Sequence, residues 1–195
     1  MSAFTPTSFS FDNAGFARLP VSLQRLWIGL LVGAATVASA AFACAAPFAA
    51  VAMLAAATLP LRQALAATAA LWIGNQIVGY GLIDYPVDGE SIAWGIIVGA
   101  ASLVATFVTH HVGKVATHQS TLIRLAILFI AAFATYQIGL LLGSAFVSAH
   151  GGMAIDIVAY VAFINGTWTI GLGAAYAGLQ MVARSTAVTG LRRGA

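Results

Sequence analysis

Charged residues are scarce in this sequence, and their scarcity excludes an ordinary soluble fold. Asp, Glu, Lys and Arg make up 7% of the 195 residues, and hydrophobic residues make up 61%. A typical soluble domain is about 25% charged, so these charges are too few to cover a water-exposed surface. Crossing a bilayer takes about 20 apolar residues per helix, which leaves room for about five to seven spans and little else. We therefore expect an all-α integral membrane protein.

Cysteine clusters and catalytic motifs are also lacking. Cys44 is the only cysteine, which excludes an intramolecular disulfide and a metal site built from several cysteines. There is no Ser/His/Asp set, no pair of carboxylates within one apolar run and no Gly-rich phosphate loop. No histidine falls at the depth where a membrane haem would need an axial ligand. The net charge of +3 is too small and too dispersed to suggest nucleic acid. The sequence thus predicts no enzymatic activity, no cofactor and no nucleic-acid partner.

Long apolar runs between Pro, Gly and charged residues predict six transmembrane helices. The second run is short and is bracketed by Pro47 and Pro60. By length alone it could form a re-entrant hairpin instead of a span. The predicted spans lie near residues 26–43, 47–59, 63–83, 91–112, 121–148 and 153–182.

The basic residues favour a second run that spans, because Lys and Arg gather on the cytoplasmic side of short loops. With six spans, every basic residue lies in the cytoplasm; with five, they are split between the two sides. The prediction is a six-helix bundle in a bacterial-type inner membrane. It has a cytoplasmic N-terminal tail (1–22), a membrane domain (23–184) and a cytoplasmic C-terminal tail (185–195). The basic residues are Arg18, Arg25, Arg62, Lys114, Arg124, Arg184, Arg192 and Arg193.

Small residues recur at helical spacing in the first predicted helix. Gly29, Gly33, Ala34 and Ala38 form a stripe that lets another helix backbone approach closely, which is how helices associate in membranes. We expect this surface to contact a partner helix, with packing inside the chain as the alternative. A similar stripe on the fourth helix predicts ordinary packing within the bundle.

Uncharged polar and aromatic side chains recur in the outer half of the predicted bundle. Polar groups in hydrocarbon are costly and often mark a pathway or a cavity, and amides with aromatic walls suit a small-molecule site. The alternative is structural, because amides also bond neighbouring helices and aromatic residues form an interfacial belt. Asp156 could likewise be a solvated carboxylate at a helix start. The predicted site comprises Trp72, Asn75, Gln76, Tyr80, Tyr85, Tyr136, Gln137, Asp156 and Tyr160.

The chain resembles the substrate-binding components of energy-coupling-factor vitamin transporters. The resemblance rests on its size, on six spans with both ends inside, on the outward polar set and on the first-helix stripe Ala34-x-x-x-Ala38. The resemblance implies a vitamin site in the outer half of the bundle, capped by outer loops. It also implies that the first-helix stripe contacts a membrane coupling subunit that works with ATPases. Solitary members that take up cobalamin are similar too. For them an outward cysteine can ligate cobalt, and Cys44 would be that residue here.

These features together predict a membrane transport protein that binds a small vitamin-like molecule from the outer face for uptake. The outer loop, residues 84–90, would then act as a lid over the site. The alternative is a non-catalytic accessory or assembly subunit that docks on a larger membrane complex and binds no ligand. The bilayer is a partner in either case.

Overall fold

The computed structural model describes residues 19–42, 46–147 and 155–193. These residues are helical throughout, with short connections and no β-strand among them, which confirms the predicted all-α class. A single 3₁₀ turn, Ala116–His118, follows the fourth helix. The helices are α1 (Val21–Phe42), α2 (Phe48–Thr58), α3 (Leu61–Leu82), α4 (Gly89–Val115), α5 (Thr121–Val147) and α6 (Ile155–Arg193).

Four of these helices are long and apolar enough to cross a membrane. Large aliphatic and aromatic side chains cover their outer surfaces, among them Ile130, Phe146 and Phe163. Such surfaces suit contact with lipid rather than with water. The protein is therefore a multi-pass membrane bundle. The four segments are Val21–Ala41, Gly89–His118, Thr121–Val147 and Ile155–Thr186.

Helix α2 is the central element of the fold. Ten of its 11 residues are buried, and each of the other five helices packs against it. At about 1.5 Å per residue it is about 16 Å long, roughly half of the 30 Å hydrocarbon thickness. Its composition explains the position, because alanines on every side allow all five neighbours to approach closely.

The other helices surround α2 in the order α1, α3, α4, α5 and α6. Close approach between them depends on glycine. Gly74 of α3 lies against Thr36 of α1, and Gly139 of α5 lies against Ala101 of α4. Helix α6 packs against α2 and α1. Its contact with α1 includes the rings of Trp27 and Tyr176, whose centroids lie 4.9 Å apart.

The charged residues of the described ranges separate to opposite ends of the bundle. Gln24 Nε2 donates to Gln63 Oε1 at 2.7 Å, so α1 and α3 begin at the same end. His110 near the end of α4 and Trp27 near the start of α1 both contact the last turn of α2, so the α4–α5 connection lies at that same end. The basic end carries Arg25, Arg62, Lys114, Arg124 and Arg184, and the acidic end carries Asp84, Asp88, Glu90 and Asp156.

Side-chain contacts fix the level of α2 between these ends. Tyr136, whose ring stacks on that of Phe48 at the start of α2, lies about 16 Å from the end of α5. His110, which contacts the last turn of α2, lies only about 8 Å from the end of α4. The central helix thus stops short of the acidic end. We call the part of the bundle between Phe48 and the acidic ends of α5 and α6 the acidic-end section.

The predicted tails are described only in part. Helix α6 continues to Arg193, so residues 185–193 of the predicted C-terminal tail are helical. Most of the predicted N-terminal tail, together with Cys44, lies outside the described residues.

Candidate functional site

The polar face predicted on α3 packs directly against α4. Trp72 Nε1 donates to the Gly95 carbonyl at 2.8 Å, and the indole lies so close to Gly99 that a Cβ there would be 2.6 Å from Trp72 Nε1. The amide of Gln76 covers Gly95 in the same way, with Oε1 at 2.6 Å from such a Cβ. The large α3 side chains thus pack against the glycines of α4. This contact agrees with the prediction that the small residues of the fourth helix serve packing within the bundle.

The same contact surface continues to the acidic end. Tyr80 Oη lies 3.2 Å from Ser91 Oγ of α4, and the ring of Tyr80 meets that of Tyr85 edge to face at 6.3 Å. Tyr85 folds back over Gly79, and its N–H donates to the Gly79 carbonyl at 3.0 Å. Four of the predicted site residues, Trp72, Gln76, Tyr80 and Tyr85, thus lie together along the α3–α4 contact.

The connection between α3 and α4 is a folded turn. Asp84 adopts the left-handed conformation with φ of 55°, which Asp tolerates better than most residues. Asp88 caps α4 by accepting a hydrogen bond from the Ser91 N–H at 2.8 Å. The turn therefore fastens the ends of α3 and α4 together. Asn75, on the preceding part of α3, is half-buried and makes no side-chain hydrogen bond to another described residue.

Tyr136 and Gln137 of α5 lie together at the floor of the acidic-end section. Tyr136 is buried, and its ring stacks on Phe48 with centroids 6.0 Å apart. Both amide atoms of Gln137 are buried and have no hydrogen-bond partner among the described residues. Leaving a buried polar group unpaired costs about 1–3 kcal/mol, so packing alone does not explain the position of this amide; the Thr109 hydroxyl is the other uncharged group in this situation among the described residues.

Gln137 lies on the face of α5 that turns toward α6. Phe133, one turn earlier on that face, packs against Val161 and Ile164 of α6. Phe48 and Tyr136 add two aromatic rings at the same level of the bundle, so the side chains placed along this part of α5 are apolar and aromatic. We call Phe48, Phe133, Tyr136, Gln137 and Ile164 the Gln137 site.

The two predicted site residues on α6 lie elsewhere. Asp156 is exposed at the acidic end, and Tyr160 is 51% exposed on the outward face of the helix. They lie apart from the α3–α4 contact and outside the Gln137 site. The buried face of α6 instead presents Asn165.

Asn165 anchors α6 to the start of α2. Its Oδ1 accepts a hydrogen bond from the Ala50 N–H at 2.9 Å, and its Nδ2 donates to the Val161 carbonyl at 2.9 Å. The residue before α2, Pro47, provides no side-chain cap, so one of the N–H groups that every helix start leaves open is satisfied from another helix. The structural reading of Asn165 as an interhelical bond thus accounts for its position.

The other end of α2 is bonded by side chains too. His110 Nδ1 lies 3.3 Å from the Ala56 carbonyl, one of the carbonyls that a helix end leaves open. Trp27 Nε1 donates to Thr58 Oγ1 at 2.9 Å. Sequence reasoning missed His110 and Trp27 as packing residues. The signal was present, because a short helix between two prolines must obtain its caps from elsewhere.

The small-residue stripe of α1 divides into two parts. Gly29 and Gly33 are exposed, and no atom of the described residues lies within 4 Å of the position of an added Cβ. Ala38 is 3% exposed and Ala34 packs partly against the core. Only the glycine pair is open to a partner helix, whereas Ala38 belongs to the chain's own interior.

Comparisons with known proteins identify no relative of this chain. No family model, curated protein or solved structure matches it. Among the described residues, no group of three or more His, Cys, Asp or Glu side chains could hold a metal ion. The site must therefore be interpreted from its own chemistry.

Proposed function

We propose that this protein is a transport subunit that binds a small vitamin-like molecule from the outer face of a bacterial-type inner membrane. In this proposal the chain crosses the membrane six times, with both termini and the basic end in the cytoplasm. The segregation of described charges supports that orientation through the positive-inside rule. The chain would act like the substrate-binding component of an energy-coupling-factor transporter.

The observation that carries the proposal is the buried Gln137 amide at the level where the short central helix begins, which has no hydrogen-bond partner among the described residues. Because α2 stops about 16 Å from the acidic end of α5, none of the described helices fills the centre of the acidic-end section. Its floor combines aromatic rings with one amide. A mostly apolar surface with a few polar groups is typical of small-molecule binding.

A thermal-shift screen of the detergent-purified protein against vitamins and corrinoids tests the proposal. A ligand should raise the melting temperature, and Gln137→Leu should abolish that shift. Gln63→Leu is the matched control, because it removes an exposed amide at the basic end and should leave the shift unchanged. The proposal fails if no compound raises the melting temperature.

The second candidate function is that of a non-catalytic accessory subunit in a larger membrane complex. The exposed pair Gly29 and Gly33 favours it, because such a pair accepts a partner helix whether or not the chain binds a ligand. The vitamin proposal assigns the same surface to a coupling subunit with ATPases. Pull-down in mild detergent distinguishes the two: a stoichiometric partner without an ATPase supports the accessory function.

A further inference from the structure

We infer that the Gln137 site takes an uncharged, flat heterocycle that carries an amide, lactam or ureide edge. This inference rests on the proposed function and adds the chemical class of the ligand. Three observations lead to it: the unpaired amide, the aromatic floor and the distribution of charge.

The amide of Gln137 determines which hydrogen-bonding groups the ligand presents to the site. A primary amide offers two donors and an acceptor side by side, and it pairs with a group that presents an acceptor next to a donor, as Asn and Gln do with adenine. Amides, lactams and ureides have this edge. Both amide atoms of Gln137 are buried without a partner among the described residues, so this capacity is available to a ligand.

The neighbouring aromatic rings determine the shape of the ligand. Phe48 and Tyr136 stack with an interplanar angle of 28°, and Phe133 lies one turn from Gln137 on the same face of α5. Flat aromatic partners pack well on such surfaces in offset or edge contacts. A planar ring therefore fits this site better than a sugar or a branched aliphatic chain.

The distribution of charge excludes an anionic ligand. The described carboxylates lie at the acidic-end rim, where they repel an anion, and the described Lys and Arg residues lie at the opposite end. Arg124, the described basic residue of α5, is about 20 Å along the helix from Gln137. A carboxylate or phosphate in the Gln137 site would be buried without a cation, which is costly in a membrane interior.

Entry of the ligand requires movement of α6, because the Gln137 amide is covered in this structure. Between α5 and the first half of α6, Phe133 packs against Val161 and Ile164. Asn165 accepts a hydrogen bond from the Ala50 N–H of α2, which holds α6 at the level of that contact. We place this movement in the turns of α6 before Val161, because the contacts of Val161, Ile164 and Asn165 hold the remainder of the helix.

Matched pairs of compounds test the class of ligand on the purified full-length chain. Nicotinamide is compared with nicotinate, riboflavin with its 5′-phosphate, and biotinamide with biotin; pyridoxine is the neutral ring without an amide edge. At least one amide or lactam member should bind, and its anionic partner should have a Kd at least about tenfold higher. Equal or tighter binding of the anionic partner, or of pyridoxine, overturns the inference and leaves the proposed function intact. Absence of binding by every vitamin and corrinoid overturns both.

The ligand-free protein provides an independent readout. Gln137→Leu and Gln137→Met remove the unpaired amide and keep the side-chain volume, so both should raise the melting temperature, by about 2–4 °C. A lower melting temperature in both variants would show that the amide is a structural bond and would overturn the inference. Gln76→Leu is the comparison, because that amide packs against Gly95.

Discussion

At the scale of single residues, the same side-chain types perform different tasks on neighbouring helices. The amide of Asn165 bonds the start of α2, that of Gln76 covers a glycine of α4, and that of Gln137 is buried without a described partner. Trp72 and Trp27 both donate indole hydrogen bonds between helices. The residue type alone therefore shows where polar contacts form in this bundle. It does not show whether a given polar side chain packs against another helix or binds a ligand.

Replacing Asn165 should destabilise the fold. Asn165→Leu leaves the Ala50 N–H without its partner in a water-free interior, which costs about 1–3 kcal/mol. The measurement is the unfolding free energy in mixed detergent micelles. Thr167→Val is the control, because its exposed hydroxyl bonds only its own helix, at the Phe163 carbonyl. Equal stability of Asn165→Leu and the native chain would contradict the anchoring role.

Adding a methyl group at Gly99 should also destabilise the fold. The new Cβ would lie 2.6 Å from the Trp72 indole, and forcing such a contact typically costs about 1–3 kcal/mol. Gly81→Ala is the matched control, since none of the described atoms lies within 4 Å of its added Cβ and alanine is the better helix former. A thermal melt of both variants checks the prediction, which is wrong if Gly99→Ala melts at or above the native temperature.

At the scale of helices, α2 and α6 differ most from their neighbours. Helix α2 is buried on all sides and bonded at both ends by side chains of other helices. Helix α6 has 39 residues, about 58 Å at the helical rise, so it extends well beyond the hydrocarbon core. A short enclosed helix thus lies at the centre of the bundle, and a long helix lies at its edge.

The outward glycines of α1 should be dispensable for folding and necessary for association. Leu at both Gly29 and Gly33 meets no neighbouring atom among the described residues, so the melting temperature should stay within a few degrees of native. Recovery of the partner in a pull-down should fall at least about tenfold, because the bulky side chains block close helix approach. Gly171→Leu controls for added bulk, because Gly171 is an exposed glycine on a different helix, α6. Undiminished recovery would show that the pair is not the contact.

At the scale of the whole molecule, charge orders the bundle along its axis. Gln24 contacts Gln63 and Thr36 contacts Gly74, so α1 and α3 run parallel. The chain between them must therefore return toward the basic end through the segment that contains α2. This geometry favours a second segment that crosses, although α2 itself is short.

Cysteine labelling of intact cells tests that topology. In a Cys44→Ala background, a cysteine at Val87, which is exposed in the acidic-end turn, should react with an impermeant maleimide. A cysteine at Arg62 should react only after the membrane is opened. The reverse pattern would invert the proposed orientation, and labelling of both positions from outside would show that the second segment does not cross.

The membrane class and the positions of the helices followed from the sequence, because both depend on composition and local order. The low charge content excluded a soluble surface, and Pro47 and Pro60 marked the short second helix, observed at Phe48–Thr58. The residues of the predicted site lie in three places in the structure: along the α3–α4 contact, in the Gln137 site and on the exposed face of α6. The sequence did not separate them, because one helical face can serve either a neighbouring helix or a ligand. The spacing of Trp72, Gln76 and Tyr80 is the same in both cases.

The contacts that separate packing from binding join residues far apart in the chain. Asn165 and Ala50 are 115 positions apart, and no local pattern predicts that one satisfies the N–H group of the other. Burial of α2 by all five neighbours has the same origin, since it depends on how the helices are arranged in space. Charge and hydropathy are properties of single residues, so the sequence alone predicted a charge-segregated membrane bundle. Hydrogen-bond satisfaction is a property of pairs, so the folded structure was needed to distinguish Gln137 from the other amides.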